Sequence, residues 1–211
     1  MASPLQYVFE LFVLLYSVVI HEVSHGLAAN AMGDTTAKDM GRLSLNPIRH
    51  LDMFGSIILP LALKLLGSPF IVGYAKPVPY NPNNLDDRRY GPAKVALAGP
   101  LSNIALAVLF GLVLRFLPDI FSSSLMPLLL AYIVYINLLL ALFNLFPVPP
   151  LDGHWLLMTL LPERFAVLKV TLYRFSFLFL VIFILFIFPF LFPLISFLFR
   201  LITGLPGLPT Y

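Results

Sequence analysis

The sequence contains no cysteine and few charged residues, and each shortage excludes a class of protein. Without cysteine there can be no disulfide framework and no zinc site built on thiolates. Charged side chains make up 11% of the chain and hydrophobic ones 60%, whereas soluble domains carry about 25% charged residues. This composition excludes an ordinary soluble globule and a disordered chain. The net charge of +3 forms no basic stripe, so no nucleic-acid partner is expected.

Long apolar runs predict an all-α polytopic membrane protein with four to six membrane segments. Crossing the hydrocarbon core takes roughly 20 apolar residues. Runs close to that length occupy residues 5–31, 93–116, 125–146 and 175–201. The first run lacks a basic region before it and contains two histidines and a glutamate, so it does not resemble a cleaved signal peptide.

A shorter apolar run, residues 51–66, is interrupted by Pro60 and bears on the topology. Suppose that this run enters the membrane and turns back near Pro60. Then all basic residues except Arg115 and Arg200 lie on one side of the membrane. Because basic residues favour the cytoplasmic side, the N-terminus would lie outside. The cytoplasmic side then carries Lys38, Arg42, Arg49, Lys64, Lys76, Arg88, Arg89, Lys94, Arg164, Lys169 and Arg174. This distribution favours a re-entrant segment, buried in protein or lining a wet cavity. A single full crossing is the alternative.

The first apolar run contains the sequence His21-Glu22-Val23-Ser24-His25, an H-E-x-x-H motif. Histidines four residues apart share one helix face, and two neutral imidazoles so placed can bind one Zn²⁺. Glu22 then stands close enough to act as general base toward a water whose pKa the metal has lowered. Ionisable groups inside a membrane segment cost about 2.5–3.5 kcal/mol each, which favours a functional origin over a chance match.

A catalytic zinc site has three protein ligands as a rule, so a third must come from elsewhere in the chain. Asp152 is the strongest candidate, because it belongs to an Asp-Gly pair that follows a proline-rich break after the third long run. Asp-Gly is also common in surface turns, which is the alternative explanation. The remaining candidates are Asp34, Asp39, His50, Asp52, His154 and Glu163.

Three motifs together resemble the site-2 protease family of intramembrane zinc metalloproteases. They are the H-E-x-x-H motif, the sequence A-G-P-L-S-N at residues 98–103, and N-L-F-P-V-P-P-L-D-G at residues 144–153. They occur in the family's order, and the resemblance covers roughly residues 10–162. The stretches at residues 41–47 and 73–79 resemble the short bacterial-type subgroup, which has no PDZ or CBS domains.

The resemblance implies a set of roles for residues of this chain. It implies that His21, His25 and Asp152 bind the metal, with one Zn²⁺ per chain, and that Glu22 is the base. Asn144 is implied to bind the substrate backbone or the oxyanion. A membrane-embedded β-hairpin is expected near residues 71–80. Residues 1–162 would form the protease core, followed by a C-terminal hydrophobic membrane region at residues 163–211.

Two further asparagines lie inside predicted membrane helices. Asn103 can form hydrogen bonds between helices, and the nearby Gly99 can permit close helix approach, as small and polar residues do in membranes. Asn137 lies seven residues before Asn144, so both face one side of their helix. A polar stripe facing the site is therefore plausible.

The sequence thus predicts a multi-pass protease of the cell membrane. Its partners are transmembrane protein substrates and the lipid bilayer. The zinc lies near the cytoplasmic face, because seventeen helical residues from Pro4 to His21 span about 26 Å of a core about 30 Å thick. Two alternatives are a membrane metal transporter and a catalytically idle scaffold that binds membrane helices. A transporter predicts ligands on several spans and no paired general base.

Overall fold

The computed structural model describes residues 4–66, 75–117 and 125–207, and within these ranges the chain is helical, with no strand. Short 3₁₀ turns and two π-helical turns connect the α-helices, which we number in chain order. They are α1 (Pro4–Ala31), α2 (Thr36–Asp39), α3 (Leu59–Leu65), α4 (Gly91–Phe116), α5 (Met126–Asn144), α6 (Gly153–Leu160), α7 (Ala166–Arg174), α8 (Ser176–Ile182) and α9 (Leu191–Thr203).

Four helical segments of the described chain are long and apolar enough to cross a membrane, by length and composition. They are Gln6–Ala31, Gly91–Phe116, Met126–Asn144 and Ser176–Thr203. Each agrees within a few residues with one of the long runs predicted from the sequence. The prediction of a helical, polytopic protein is confirmed.

Helix α4 is the centre of the bundle, packed against both α1 and α5. The face of α1 that meets its neighbours is a row of buried residues at every fourth position: Val13, Ser17, His21, His25 and Ala29. Residues four apart lie on one side of a helix, so this row is a stripe along the helix. The side chains of Ser17, His21 and His25 thus occupy the interior between the helices rather than the lipid-facing surface.

The segment predicted to be re-entrant forms a short helical element instead. A π-helical turn at Met53–Ile58 continues directly into α3, and the 13 residues together are about 20 Å long. That length is shorter than a membrane core of about 30 Å. The prediction of a turn near Pro60 is wrong. Pro60 lies in the first turn of α3, where a missing N–H is tolerated, so the helical path continues past it. The re-entrant loop is therefore not supported.

The hairpin expected at residues 71–80 is not supported either. Residues 71–74 lie outside the described residues, and Ala75 to Asn81 has no regular structure and no strand pairing. Pro77 and Pro79 lack the N–H groups that a ladder requires, which gives a physical reason for the absence of pairing. This segment, residues 75–81, is called the extended segment below, and it lies beside the C-terminal half of α1.

The C-terminal hydrophobic region packs onto the central helices. Ile195 and Phe199 of α9 are fully buried and join a cluster with residues of α4 and α5. Pro189 lies in a 3₁₀ turn between α8 and α9, where the helical path changes its pitch without ending. Gly111 of α4 leaves space for the side chain of Ile202, so the two helices approach closely at this point.

Candidate metal centre

Two histidines of α1 face the middle of the bundle. His21 and His25 are both buried, and their rings contact each other edge to face with centroids 4.7 Å apart. This is the geometry that helical i, i+4 spacing predicts for two side chains on one face. Glu22 follows His21 on the same helix and is partly buried at the edge of the same cavity.

The carboxylate of Asp152 meets both imidazoles. Its Oδ2 lies 2.9 Å from His21 Nε2 and 3.3 Å from His25 Nε2. The chain reaches this position because Gly153, the next residue, lies directly against the backbone carbonyls of Leu145 and Phe146, where no side chain would fit. The Asp-Gly pair therefore permits the sharp turn that directs Asp152 back toward α1.

The possible ligand atoms of this cluster lie close enough together to hold a metal ion. The three ligand atoms of His21, His25 and Asp152 lie within 4.8 Å of one another. His25 Nδ1 donates a hydrogen bond to the carbonyl oxygen of Val95 at 2.7 Å, so its Nε2 carries the lone pair. That buried Nε2 forms no well-aligned hydrogen bond in the described chain, although Asp152 Oδ2 lies 3.3 Å from it. A zinc ion fits this set, because two imidazole nitrogens and a carboxylate oxygen are ligands that Zn²⁺ accepts.

Gly99 of α4 leaves open the space into which both imidazoles project. A Cβ atom at this position would lie 2.5 Å from His25 Nε2 and 2.6 Å from His21 Nε2. These distances are too short for any side chain to be accommodated without displacing the rings. The glycine predicted to bring helices together also borders the metal centre.

Glu22 is held by the extended segment. Its Oε2 accepts a hydrogen bond of 2.9 Å from the backbone N–H of Val78. The segment is anchored on both sides of that contact, because Arg42 donates to the carbonyl oxygens of Lys76 and Pro77, and Asp34 accepts from the N–H of Asn81. The carboxylate of Glu22 thereby has a fixed position beside the histidines.

A cavity of about 260 Å³ surrounds these groups. Besides the two histidines, Glu22 and Asp152, its walls include Pro77, Val78, Tyr80, Asn144, Pro150 and Trp155. Asn144 uses one amide hydrogen to bond the carbonyl oxygen of Leu140 at 3.0 Å, which leaves the second available. The cavity thus brings together the three candidate metal ligands, a second carboxylate and an amide donor.

The chain matches the model of a known protein family. The sequence profile of peptidase family M50, the site-2 protease family, matches residues 9–124 and 121–187. The chain belongs to peptidase family M50. The resemblance found in the sequence is confirmed, and this M50 chain is a multi-pass membrane protein.

Curated relatives of the M50 chain occur in bacteria and archaea. The relative named "Putative zinc metalloprotease YwhC" from Bacillus subtilis is 37% identical over 179 residues, which cover 81% of the chain and 78% of the relative. "Putative zinc metalloprotease MJ0611" from Methanocaldococcus jannaschii is 34% identical over 154 residues, 72% of the chain and 70% of the relative. "Putative zinc metalloprotease Rip2" from Mycolicibacterium smegmatis is 31% identical over 160 residues, 72% of the chain but 58% of the relative. No solved structure matches the chain.

The other candidate ligands of the M50 chain lie outside the cluster. His154 is occupied on both nitrogens, with Leu151 O at 2.6 Å from Nδ1 and Tyr173 Oη at 3.2 Å from Nε2, and burial lowers its pKa. His50 Nε2 donates to the carbonyl oxygen of Ser44. The carboxylates that take part in local loop or surface bonds instead are Asp34, Asp39, Asp52 and Glu163.

Sequence reasoning expected a hairpin at residues 71–80 but missed the bond between this segment and Glu22. Val78 is more than fifty positions from Glu22, and nothing in the local pattern indicates that its N–H bonds the carboxylate. The hydroxyl of Tyr80 is buried without a hydrogen-bond partner among the described residues. Burial and the nearby charge of Asp152 raise the pKa of Tyr80 to about 12, so the phenol stays protonated.

Proposed function

We propose that the chain is an intramembrane zinc metalloprotease that hydrolyses peptide bonds in the transmembrane segments of membrane-protein substrates, in regulated intramembrane proteolysis. The observation that carries this proposal is the convergence of His21, His25 and Asp152 on one point beside Glu22. Membership of a peptidase family and the zinc metalloprotease names of the relatives support it.

His21, His25 and Asp152 would hold one Zn²⁺ per chain and leave a position open for a reactant. When bound, zinc lowers the pKa of a coordinated water and polarises the carbonyl group of the peptide bond. The remaining chemistry is a transfer of protons, and the chain provides a carboxylate for it beside the ligands.

Glu22 takes the proton of the attacking water and passes it to the nitrogen of the departing amine, as a general base and then a general acid. The bond from Val78 N–H occupies Oε2, so Oε1 is the oxygen that we assign to the proton. Asn144 is assigned to the developing oxyanion, because its second amide hydrogen is available and the side chain lines the cavity.

The hydrogen bonding of a helix bears on the form of the substrate. Each carbonyl group inside a transmembrane helix is already bonded within that helix. A transmembrane helix must therefore unwind locally before one of its carbonyl groups reaches the site. The extended segment at the cavity wall would hold the unwound strand through backbone hydrogen bonds.

The distribution of basic residues supports a location in the cell membrane with the site near the cytoplasmic face. His21 lies 17 residues along α1 from Pro4, about 26 Å at 1.5 Å per residue. With the N-terminus outside, this distance supports a metal centre in the cytoplasmic half of the membrane.

The decisive experiment is a cleavage assay on the protein purified in detergent. Glu22→Gln keeps the size of the side chain but cannot accept a proton, so bound zinc should be unchanged and cleavage of a test transmembrane substrate should fall by about 10²–10⁴-fold. Glu10→Gln is the matched control, because it makes the same change on the same helix outside the cavity, and it should cleave normally.

Other outcomes separate the alternatives. Near wild-type cleavage by Glu22→Gln would contradict the assigned mechanism. A wild-type protein that binds zinc and a substrate helix but cleaves nothing would be a scaffold. Zinc movement across proteoliposomes that contain the protein, without cleavage, would indicate a transporter.

A further inference from the structure

Three polar side chains are buried where α1, α4 and α5 meet. Asn103 and Asn137 are 0% exposed, and Ser17 is 4% exposed. Polar groups inside membrane helices are costly unless they find partners, and they are expected to face the interior of the bundle. Each of these three forms hydrogen bonds with the others, and the network they form ends at His21.

The bonds of the network fix the orientation of both amide groups. Asn137 Nδ2 donates to the carbonyl oxygen of Ile133 at 2.9 Å and to Ser17 Oγ at 3.0 Å. Its Oδ1 therefore faces Asn103, whose Nδ2 donates to it at 2.8 Å and to the carbonyl oxygen of Ser17 at 3.3 Å. Because a main-chain carbonyl can only accept, neither amide can be reversed without losing these bonds.

Asn103 is left with its oxygen directed at the first histidine. Asn103 Oδ1 lies 2.6 Å from His21 Nδ1, and an amide oxygen only accepts, so Nδ1 must carry the proton. A neutral imidazole protonated on Nδ1 has its lone pair on Nε2, the atom that faces Asp152. The network therefore selects the form of His21 that can bind a metal through Nε2.

We propose that Asn103, whose amide is oriented by the main-chain carbonyl oxygen of Ser17, is a positioning residue that fixes the tautomer and ring orientation of His21 for metal binding. The inference rests on the proposed zinc site. His25 obtains the same restraint from the main-chain carbonyl of Val95, which no substitution removes. Hence, of the two histidines, His21 alone relies on a side chain for its orientation, and this reliance can be tested.

The test measures zinc affinity, by competition with a chelator, in three variants purified in detergent. Asn103→Ala removes the acceptor and should weaken zinc binding by about 10–100-fold, the usual effect of losing such a partner. Asn103→Asp keeps an acceptor oxygen toward His21 but loses the donor to Asn137 and Ser17, so it should bind zinc more tightly than Asn103→Ala. Asn137→Ala is the matched control, because it makes the same change at an equally buried position that does not contact His21. It also leaves Asn103 Nδ2 bonded to the main-chain carbonyl oxygen of Ser17, so the amide of Asn103 keeps its orientation.

The thermal midpoint, measured alongside, separates positioning from packing. The proposal expects similar losses of thermal midpoint in Asn103→Ala and Asn137→Ala but a much larger loss of zinc affinity in Asn103→Ala. Substitution with Co²⁺ should also shift the visible absorption bands of Asn103→Ala relative to the wild type and Asn137→Ala, which a packing role would not do.

Several results would overturn the proposal. The first is an Asn103→Ala protein that binds zinc as tightly as the wild type. The second is an equal loss of zinc affinity in Asn103→Ala and Asn137→Ala, with unchanged Co²⁺ spectra. If Asn103→Ala does not fold, a folded Asn103→Asp protein that has lost zinc affinity overturns it, and one that retains affinity supports it. A wild-type protein that binds no zinc would instead refute the proposed function.

Discussion

Asp152 is the residue on which the proposed metal centre depends most, because the two histidines share a helix and it alone comes from a distant position. Asp152→Ala should lower the zinc content sharply, since only two protein ligands remain. The measurement is zinc per chain after dialysis. His154→Ala is the control, because both of its ring nitrogens are bonded elsewhere, and it should retain zinc. Unchanged zinc in Asp152→Ala would reassign the third ligand to His154 or His50.

Tyr80 carries a buried hydroxyl for which the described chain offers no partner. Leaving such a group unsatisfied costs about 1–3 kcal/mol, so Tyr80→Phe should leave the free energy of unfolding unchanged or higher. Tyr173→Phe is the matched control, because its hydroxyl lies 3.2 Å from His154 Nε2, and its loss should cost about 0.5–1.5 kcal/mol. Equal destabilisation in both variants, measured by denaturant titration in detergent, would show that the Tyr80 hydroxyl has a partner.

Part of this site could be predicted from the sequence, because His21, Glu22 and His25 lie within five consecutive residues. His21 and His25 lie on one face of a helix by periodicity alone, and the structure brings their rings together with Asp152. Their roles stay predictions until zinc is measured. Val78 and Tyr80 could not be foreseen, because their place at the site depends on how a segment without regular structure crosses the end of α1.

At the scale of secondary structure, the long spans were predictable and the short connections were not. The apolar run at residues 93–116 predicted a membrane helix, and the structure has a helix at Gly91–Phe116. A long apolar run has few alternatives to a helix, since every backbone group must bond within the segment. The hairpin was expected from the family resemblance, and the turn near Pro60 from the interrupted apolar run and the basic residues. Neither argument decided whether Pro60 falls at the start of a helix, where proline is tolerated, or within it.

The short helical element at residues 53–65 leads to a prediction about topology. Because it is too short to cross, cysteines introduced at Ser44 and Tyr90 should react with an impermeant thiol reagent from the same, cytoplasmic, side. The chain has no cysteine of its own, so each label reports one position. A third cysteine at Gln6 should be labelled from outside. Labelling of Ser44 and Tyr90 positions from opposite sides would mean a full crossing.

At the scale of the whole molecule, the C-terminal helix α9 packs closely against α4 and α5. In a membrane this contact is stabilised by packing rather than by burial from water, so small residues at the interface matter. Gly111→Leu should push Ile202 away and destabilise the protein by about 1–3 kcal/mol, as overpacking does.

Gly207→Leu is the control for that change, because a Cβ at Gly207 meets nothing within 4 Å. The check is the thermal midpoint in detergent, together with a cross-link between α4 and α9 that should weaken only in Gly111→Leu. If both variants are equally stable, α9 does not rely on the close approach at Gly111.

The open space beside Gly99 has a consequence for how the gene can vary. Every nucleotide substitution in a glycine codon is either silent, or introduces a residue with a Cβ, or stops the chain, and a Cβ here lies about 2.5 Å from both imidazoles. No single-nucleotide change that replaces Gly99 by another residue therefore leaves the space beside the imidazoles open. Inactive descendants of this enzyme should therefore arise readily through changes at codon 99, while the histidine codons themselves stay intact.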